Sequence, residues 1–402
     1  MTERLPDRTW VPAVGALALA VLFVAALLVR AGGDVSLLVH AGPPWTDPAS
    51  ARDSLTVQDA DQAFDGQFFY RLGVAPWSTD ETVDGVTFDL PSLRNARWGY
   101  GALAFVASGG DADLVPWALV GLNVVAAAAM GAIGGGLAKS AGRHAGWGLL
   151  LVLWPGFAYS ISMDTSELVA STFALGGLLA LRHRRHLWAG LALTAALLTR
   201  DTAAVIPFGV LVGGLVSWWS RRDREIRQAA AGLVPLVAFG AWQVLQWSRF
   251  DALPLTSSGD NNLSAPFGGL VEELGALVPP SGGDELFRLV SMLGLVALIS
   301  AGAWAWWNRS GLRSAAAGPR ARRFISLSAE QAAWVPAVFV VAVLNAYLWS
   351  GATAFMRAAT EAALLSILLL LGSLRTRLLG LLAAALSGLW LLTVAAQLSK
   401  LG

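Results

Sequence analysis

Apolar stretches recur along the whole chain, separated by short polar segments crowded with arginine. The runs lie near residues 10–29, 114–138, 145–161, 166–181, 187–199, 202–219, 229–248, 286–307, 331–349, 361–374 and 378–398. About 20 apolar residues suffice for a helix to cross a bilayer core. A backbone in lipid satisfies its hydrogen bonds only as a helix or a closed barrel. The pattern predicts an all-α fold, a polytopic transmembrane helical bundle of about 11 spans, built as a single integral-membrane domain over residues 1–402. Several runs are short, which predicts broken or tilted helices. A hydrophobic share of 55% against 14% charged residues excludes an ordinary soluble domain. The first run is too long for the apolar part of a signal peptide and reads as a retained helix. A net charge of +1 without a basic stripe gives no footing for nucleic acid. The lack of cysteine excludes disulfides, thiolate metal sites and a thiol nucleophile.

The charges sort by side. With the N-terminus in the cytoplasm, 18 of the 28 basic residues fall in inner segments, among them Arg182, Arg184 and Arg185, and the cluster from Arg309 to Arg323. Of the 27 acids, 22 fall outside. Basic inner loops are the mark of orientation in multi-pass proteins, so the chain reads as N-in, C-out. On that reading Asp65, Asp164, Glu167, Arg200, Asp201, Asn261, Asn262 and Arg357 share the outer side. Two outer loops stand out. The first, 31–98, holds ten acids and is long enough to be functional; it runs into residues 92–109, which read as an interfacial or half-inserted helix. The second, 249–285, is rich in Gly, Pro, Ser and Asn and reads as an irregular cover over a site.

Within the first loop, residues 61–71 read DQAFDGQFFYR. Asp65 stands there among Phe68, Phe69, Tyr70 and Arg71, a carboxylate at the membrane surface and a candidate reaction centre. Charges at the ends of apolar runs are costly toward lipid. Asp164 and Glu167, three residues apart, share a helical face; they serve a site or merely cap a helix start. Arg200 and Asp201 end one run and open the next, as a salt bridge or as a cationic contact for phosphate, for which the arginine fork is suited. Arg357 either pairs with Glu361 one turn on or joins the site. Arg94, Arg97 and Tyr100 cluster at the outer surface; the arginines snorkel to headgroups, or Arg97 meets a lipid phosphate. His183 and His186 lie in an arginine-rich inner turn without a nearby carboxylate, a solvated loop and no metal site.

The run FDGQFFYRLGVAPW (64–77) followed by RWGYGALAFVA (97–107) resembles the first-loop pattern of the GT-C superfamily of polytopic membrane glycosyltransferases. The likeness is to a bacterial group with a YDGQFYY-like loop and an RxxYP-like helix start and, more distantly, to GPI-anchor mannosyltransferases. WPGFAYSISMDTSELVAS (154–171), LALTAALLTRDTA (191–203), GDNNLSAPFGGL (259–270) and MRAATEAALL (356–365) are similar to later landmarks of that group. The chain departs from it at Gly101, where the group has proline, and at Asp201, where it has glutamate.

The resemblance implies an inverting glycosyltransferase that takes a sugar from a polyprenyl-phosphate-linked donor and gives it to a lipid or glycan acceptor hydroxyl. Its setting would be the bacterial cell (inner) membrane, among membrane lipids, with the site on the extracytoplasmic side. Asp65 would be the general base. Arg200, Arg97, Arg357 or Arg71 would meet the donor phosphate, with no divalent metal and no cofactor. Tyr70 and its neighbouring phenylalanines would stack on sugar or line the lipid tail, or else pack the loop onto the membrane. Gln67, Asn261 and Asn262 would bond sugar hydroxyls, and Asp164, Glu167 and Asp201 would complete the sugar and acceptor side. The competing expectation is a multi-pass transporter or lipid flippase, but transporters tend to internal repeats and midplane ionisable residues, whereas here the charges stand at helix ends.

Overall fold

The computed structural model describes residues 7–221, 226–257, 262–309 and 328–400. Its helices, in chain order, are α1 (Trp10–Arg30), α2 (Gly66–Val74), α3 (Pro91–Ala96), α4 (Trp98–Ser108), α5 (Val115–Ser140), α6 (Leu149–Val152), α7 (Gly156–Ser162), α8 (Glu167–Arg182) and α9 (His186–Thr199). They continue with α10 (Val205–Arg221), α11 (Ile226–Phe250), α12 (Gly268–Leu277), α13 (Gly283–Arg309), α14 (Ala329–Ala342), α15 (Ala346–Trp349), α16 (Ala352–Ala358), α17 (Thr360–Leu371) and α18 (Thr376–Lys400). One two-stranded hairpin, β1 (Thr82–Val83) with β2 (Val86–Thr87), interrupts the helices.

Among the described residues six helical stretches are long and apolar enough to cross a membrane, α1, α5, Asp201–Trp219 (most of α10 with the turn before it), α11, α13 and α18, and the count reaches eight if the bent pairs, residues 145–152 with α7 (66°) and α16 with α17 (57°), are each one span. The chain is thus a multi-pass helical bundle with six to eight candidate spans among the described residues, against eleven apolar runs in the sequence. The shortfall is physical. Helices α9 and α14 have 14 residues each and α8 has 16. At about 1.5 Å per residue these fall short of a core about 30 Å thick. The centre of the bundle is α17, whose 12 residues are all buried.

Each end of the bundle has its own set of charges. At one end Lys139 approaches Asp7 at 3.8 Å, Arg143 donates to the carbonyls of Leu371 and Leu374, and Arg182 pairs with Glu330 at 2.8 Å. These contacts gather the start of the chain with the C-terminal ends of α5, α8 and α17. The opposite ends of α8 and α17 carry Glu167 and Glu361. Of the inner-segment residues read from the sequence, Lys139, Arg143 and Arg182 thus share one end; Arg4 and those in 222–225 and 310–327 lie outside the described residues.

The first polar loop is folded over the other end. Helix α2 packs against α4 and α5. Residues 92–109 do not form one interfacial helix: they break at Arg97 into α3 and α4, and α4 buries Tyr100, Gly101, Ala102 and Ala104. The contact with α2 is close, for a Cβ on Gly101 would lie 2.2 Å from the Leu72 Cβ. A larger side chain has no room at this position. In the second loop, α12 packs on α13 and α15, and Leu263 bridges to Leu344.

Candidate functional site

Asp65 occupies the N-cap position of α2, yet its carboxylate makes no capping bond, so both oxygens are free to point elsewhere. Just behind it, a Cβ on Gly66 would sit 2.4 Å from the Val39 carbonyl oxygen and 2.6 Å from that of Met163. Only glycine lets the loop press so closely onto the α7–α8 turn, and this contact sets Asp65 beside the start of α8. Asp65 Oδ1 accepts from Arg94 Nη1 at 2.9 Å, and Oδ2 accepts from Arg357 Nη2 at 2.8 Å. The Asp65 side chain keeps 24% of its surface exposed, so the carboxylate is both bonded and reachable.

The two arginines are held differently. Arg94 grips Asp89 through Nε at 2.7 Å and Nη2 at 2.6 Å, and its guanidinium lies over the Phe68 ring at 4.1 Å. Every guanidinium nitrogen of Arg94 is thus engaged. Arg357 donates Nε to Glu167 Oε1 at 2.6 Å and lies 4.8 Å from the Phe64 ring centre. Its Nη1 has no hydrogen-bond partner among the described residues.

Glu167 is the hub. It is fully buried, and its Oε1 also receives Arg200 Nη1, while Oε2 accepts the hydroxyls of Thr165 at 2.5 Å and Ser160 at 3.1 Å. Arg200 is fully committed: Nε donates to Thr202 Oγ1 at 2.8 Å and Nη2 to the Arg357 carbonyl at 3.2 Å. Thr202 in turn donates to Glu361 at 2.9 Å. The result is a continuous chain, Asp89, Arg94, Asp65, Arg357, Glu167, Arg200, Thr202, Glu361. Beside it Arg97 pairs with Asp201 at 3.1 Å and 3.4 Å.

Burial alone would push the Asp65 carboxyl up, but Arg94, Arg357 and Arg97 outweigh it and hold the group far below the usual carboxylate range. The reciprocal holds for Arg94, where burial is overcome by Asp65 and Asp89 and the guanidinium is held more firmly protonated. At any moderate pH, then, Asp65 and Arg94 face each other as full opposite charges.

The fold brings together Asp65, Glu167, Arg200 and Arg357 from among the residues singled out in the sequence, with Arg97 and Asp201 at the margin. No family model, curated protein or solved structure matches the chain. The geometry therefore has to be weighed on its own chemistry.

Five residues are placed elsewhere. Arg71 turns away from Asp65: it is buried, stacks on Phe88 at 3.9 Å, and donates to the carbonyls of Asp80, Glu81 and Val86, so it ties the hairpin to α2. Gln67 is buried and accepts from the Thr46 hydroxyl at 2.7 Å, a bond internal to the loop. Tyr70 is wholly buried. Asp164, fully buried in a left-handed conformation (φ 45°), has neither oxygen bonded among the described residues; it lies in the turn beneath the network. Asn262 is exposed, and its carbonyl accepts from the Asn345 N–H at 3.1 Å. Asn261 lies outside the described residues. Arg357 also does not pair with Glu361, which is taken by Thr202.

Sequence reasoning passed over Arg94 as a site residue, and with it Asp89. The clue was available: an Asp and an Arg five residues apart flank Pro91 at the start of α3, an arrangement suited to a local ion pair. Among the described residues no group of three or more His, Asp or Glu side chains could hold a metal ion.

Proposed function

We propose that the chain is a membrane glycosyltransferase of GT-C type, moving a sugar from a polyprenyl-phosphate-linked donor to an acceptor hydroxyl on the extracytoplasmic face of a bacterial inner membrane, with inversion. The observation that carries this reading is the meeting of Asp65 with Arg357, 292 residues away in sequence, at 2.8 Å. It joins a reachable carboxylate to a cation with an uncommitted nitrogen at one end of an apolar bundle.

The transfer needs two things that such a pair supplies. A base must come within about 2.6 to 3.2 Å of the attacking hydroxyl, and Asp65 has the exposure to do so. The hydroxyl proton passes to Asp65, its oxygen bonds the anomeric carbon from the far side, and the carbon–oxygen bond to phosphate breaks with its electrons staying on phosphate. That leaving group is already weakly basic, so it needs positive charge more than a proton. Arg357 is the guanidinium suited to meet it, because Arg94 and Arg200 have no nitrogen to spare. Arg200 instead holds Glu167, and Glu167 orients Arg357.

Purified protein in nanodiscs, given radiolabelled polyprenyl phosphate sugars and membrane extract as acceptor, tests the reading. Transfer is expected from the native chain, falling by about 10²- to 10⁴-fold in Asp65→Asn, the usual worth of a positioned base. Near-native turnover by the variant would sink the assignment of Asp65. Lipid scrambling without sugar transfer would favour translocation.

A further inference from the structure

The site as it stands holds its base silent. Both oxygens of Asp65 are paired with guanidinium groups, and a carboxylate so paired accepts a proton poorly, since opposite charges favour its ionised form. The two partners differ in what it takes to remove them. Arg94 is fixed by two bonds to Asp89 and by the Phe68 ring beneath it. Arg357 touches Asp65 through Nη2 alone, while its Nε is anchored on Glu167 and its Nη1 is unbonded among the described residues. Turning the end of the Arg357 side chain would therefore free Asp65 Oδ2 without breaking the anchor. Glu167 would lose nothing, because it keeps Arg200, Thr165 and Ser160.

We propose that Arg357 is a latch on Asp65 operated by the donor: the lipid-linked phosphate takes the Nη1 and Nη2 face of Arg357, draws it off Oδ2, and so turns Asp65 from an ion-pair partner into a base. This rests on the glycosyltransferase reading and adds an order to it, donor before acceptor activation. Arg94 stays in place and acts as the positioning residue, keeping Asp65 aimed while Arg357 moves. The consequence is protection: with no donor bound, Asp65 cannot activate a hydroxyl or water.

The test needs neither sugar nor acceptor. Asp65 in the nanodisc-embedded full chain is labelled with a water-soluble carbodiimide and an amine, and its modification is followed by peptide mass spectrometry at one mildly acidic pH. The reaction takes the protonated carboxyl, and a lost ion-pair partner multiplies the protonated fraction by about 10- to 1000-fold. Farnesyl phosphate, the probe, is expected to raise Asp65 labelling at least about tenfold, and inorganic phosphate at the same concentration to leave it unchanged. Arg357→Gln is expected to label strongly without the probe and to gain nothing from it. Arg94→Gln is expected to label more than the native chain and still respond. Arg357→Lys, which keeps a charge beside Glu167, serves if the glutamine variant fails to fold, and is expected to label more than the native chain without the probe and to respond weakly. The latch is overturned if farnesyl phosphate leaves or lowers labelling of the native chain, or if its effect persists in Arg357→Gln. An equal response to inorganic phosphate would overturn the lipid-linked form. A working latch in a chain that moves no sugar from any donor would remove the glycosyltransferase reading alone; transfer without the labelling response would remove the latch alone.

Discussion

Glu167 carries two arginines on a single oxygen with no surface exposed. Such a residue matters more for what its loss leaves behind than for its own bonds. Removing one member of a buried ion set strands the others, at a cost of about 3 to 5 kcal/mol. Glu167→Gln is expected to lower the unfolding midpoint in nanodiscs by several degrees and to abolish transfer, since Arg357 loses its anchor; an unchanged midpoint would show that the arginines find other partners. At this scale the sequence was readable where a charge stood at the edge of an apolar run, as Glu167, Arg200 and Arg357 do, or among the aromatics of the first loop, as Asp65 does, and all four converge. It misled within the DGQFFYR run. Asp65 and Arg71 are adjacent to the eye, but six residues place them about 120° apart around a helix, and Arg71 serves the hairpin on the far side. Arg94 was hidden by the opposite effect, since an arginine at a membrane surface already has an ordinary explanation.

Among the elements, helix boundaries were the least legible. Hydropathy finds apolar runs and is blind to breaks within them. The chain breaks after Trp154, at the left-handed Asp164, at Asn345 and at Ala359, so apolar runs that look like separate spans become bent pairs or short helices. These breaks have a use, because α8 starts at Glu167 and α16 ends beside Arg357 only on account of them. The seat of α2 on α4 is the most sensitive joint. Gly101→Ala would place its Cβ 2.2 Å from the Leu72 Cβ, and overpacking of this kind costs about 1 to 3 kcal/mol. The expected outcome is a lowered unfolding midpoint together with weakened transfer, because a displaced α2 carries Asp65 away from Arg357. Full activity at reduced stability would show that α2 can shift without moving the carboxylate.

Over the whole molecule, the two sets of charges are separated by the length of α8 and α17, and the bundle between them is apolar. One end, held by Lys139, Arg143 and Arg182, is a structural clasp; the other, built on Asp65, is reachable from water. Inner loops of membrane proteins collect arginine and lysine, and the proposed function accordingly has the clasp facing the cytoplasm and Asp65 facing outward. The chain has no cysteine, so single cysteines report sidedness without background. Asp59 and His183 are both exposed, one in the loop that carries Asp65, the other at the C-cap of α8 next to Arg182. In intact cells a membrane-impermeant maleimide is expected to label Asp59→Cys at once and His183→Cys only after lysis. The reverse pattern would place the site in the cytoplasm, where soluble nucleotide sugars are available, and the case for a lipid-linked donor would lose its footing while the chain of charges around Asp65 stayed as it is.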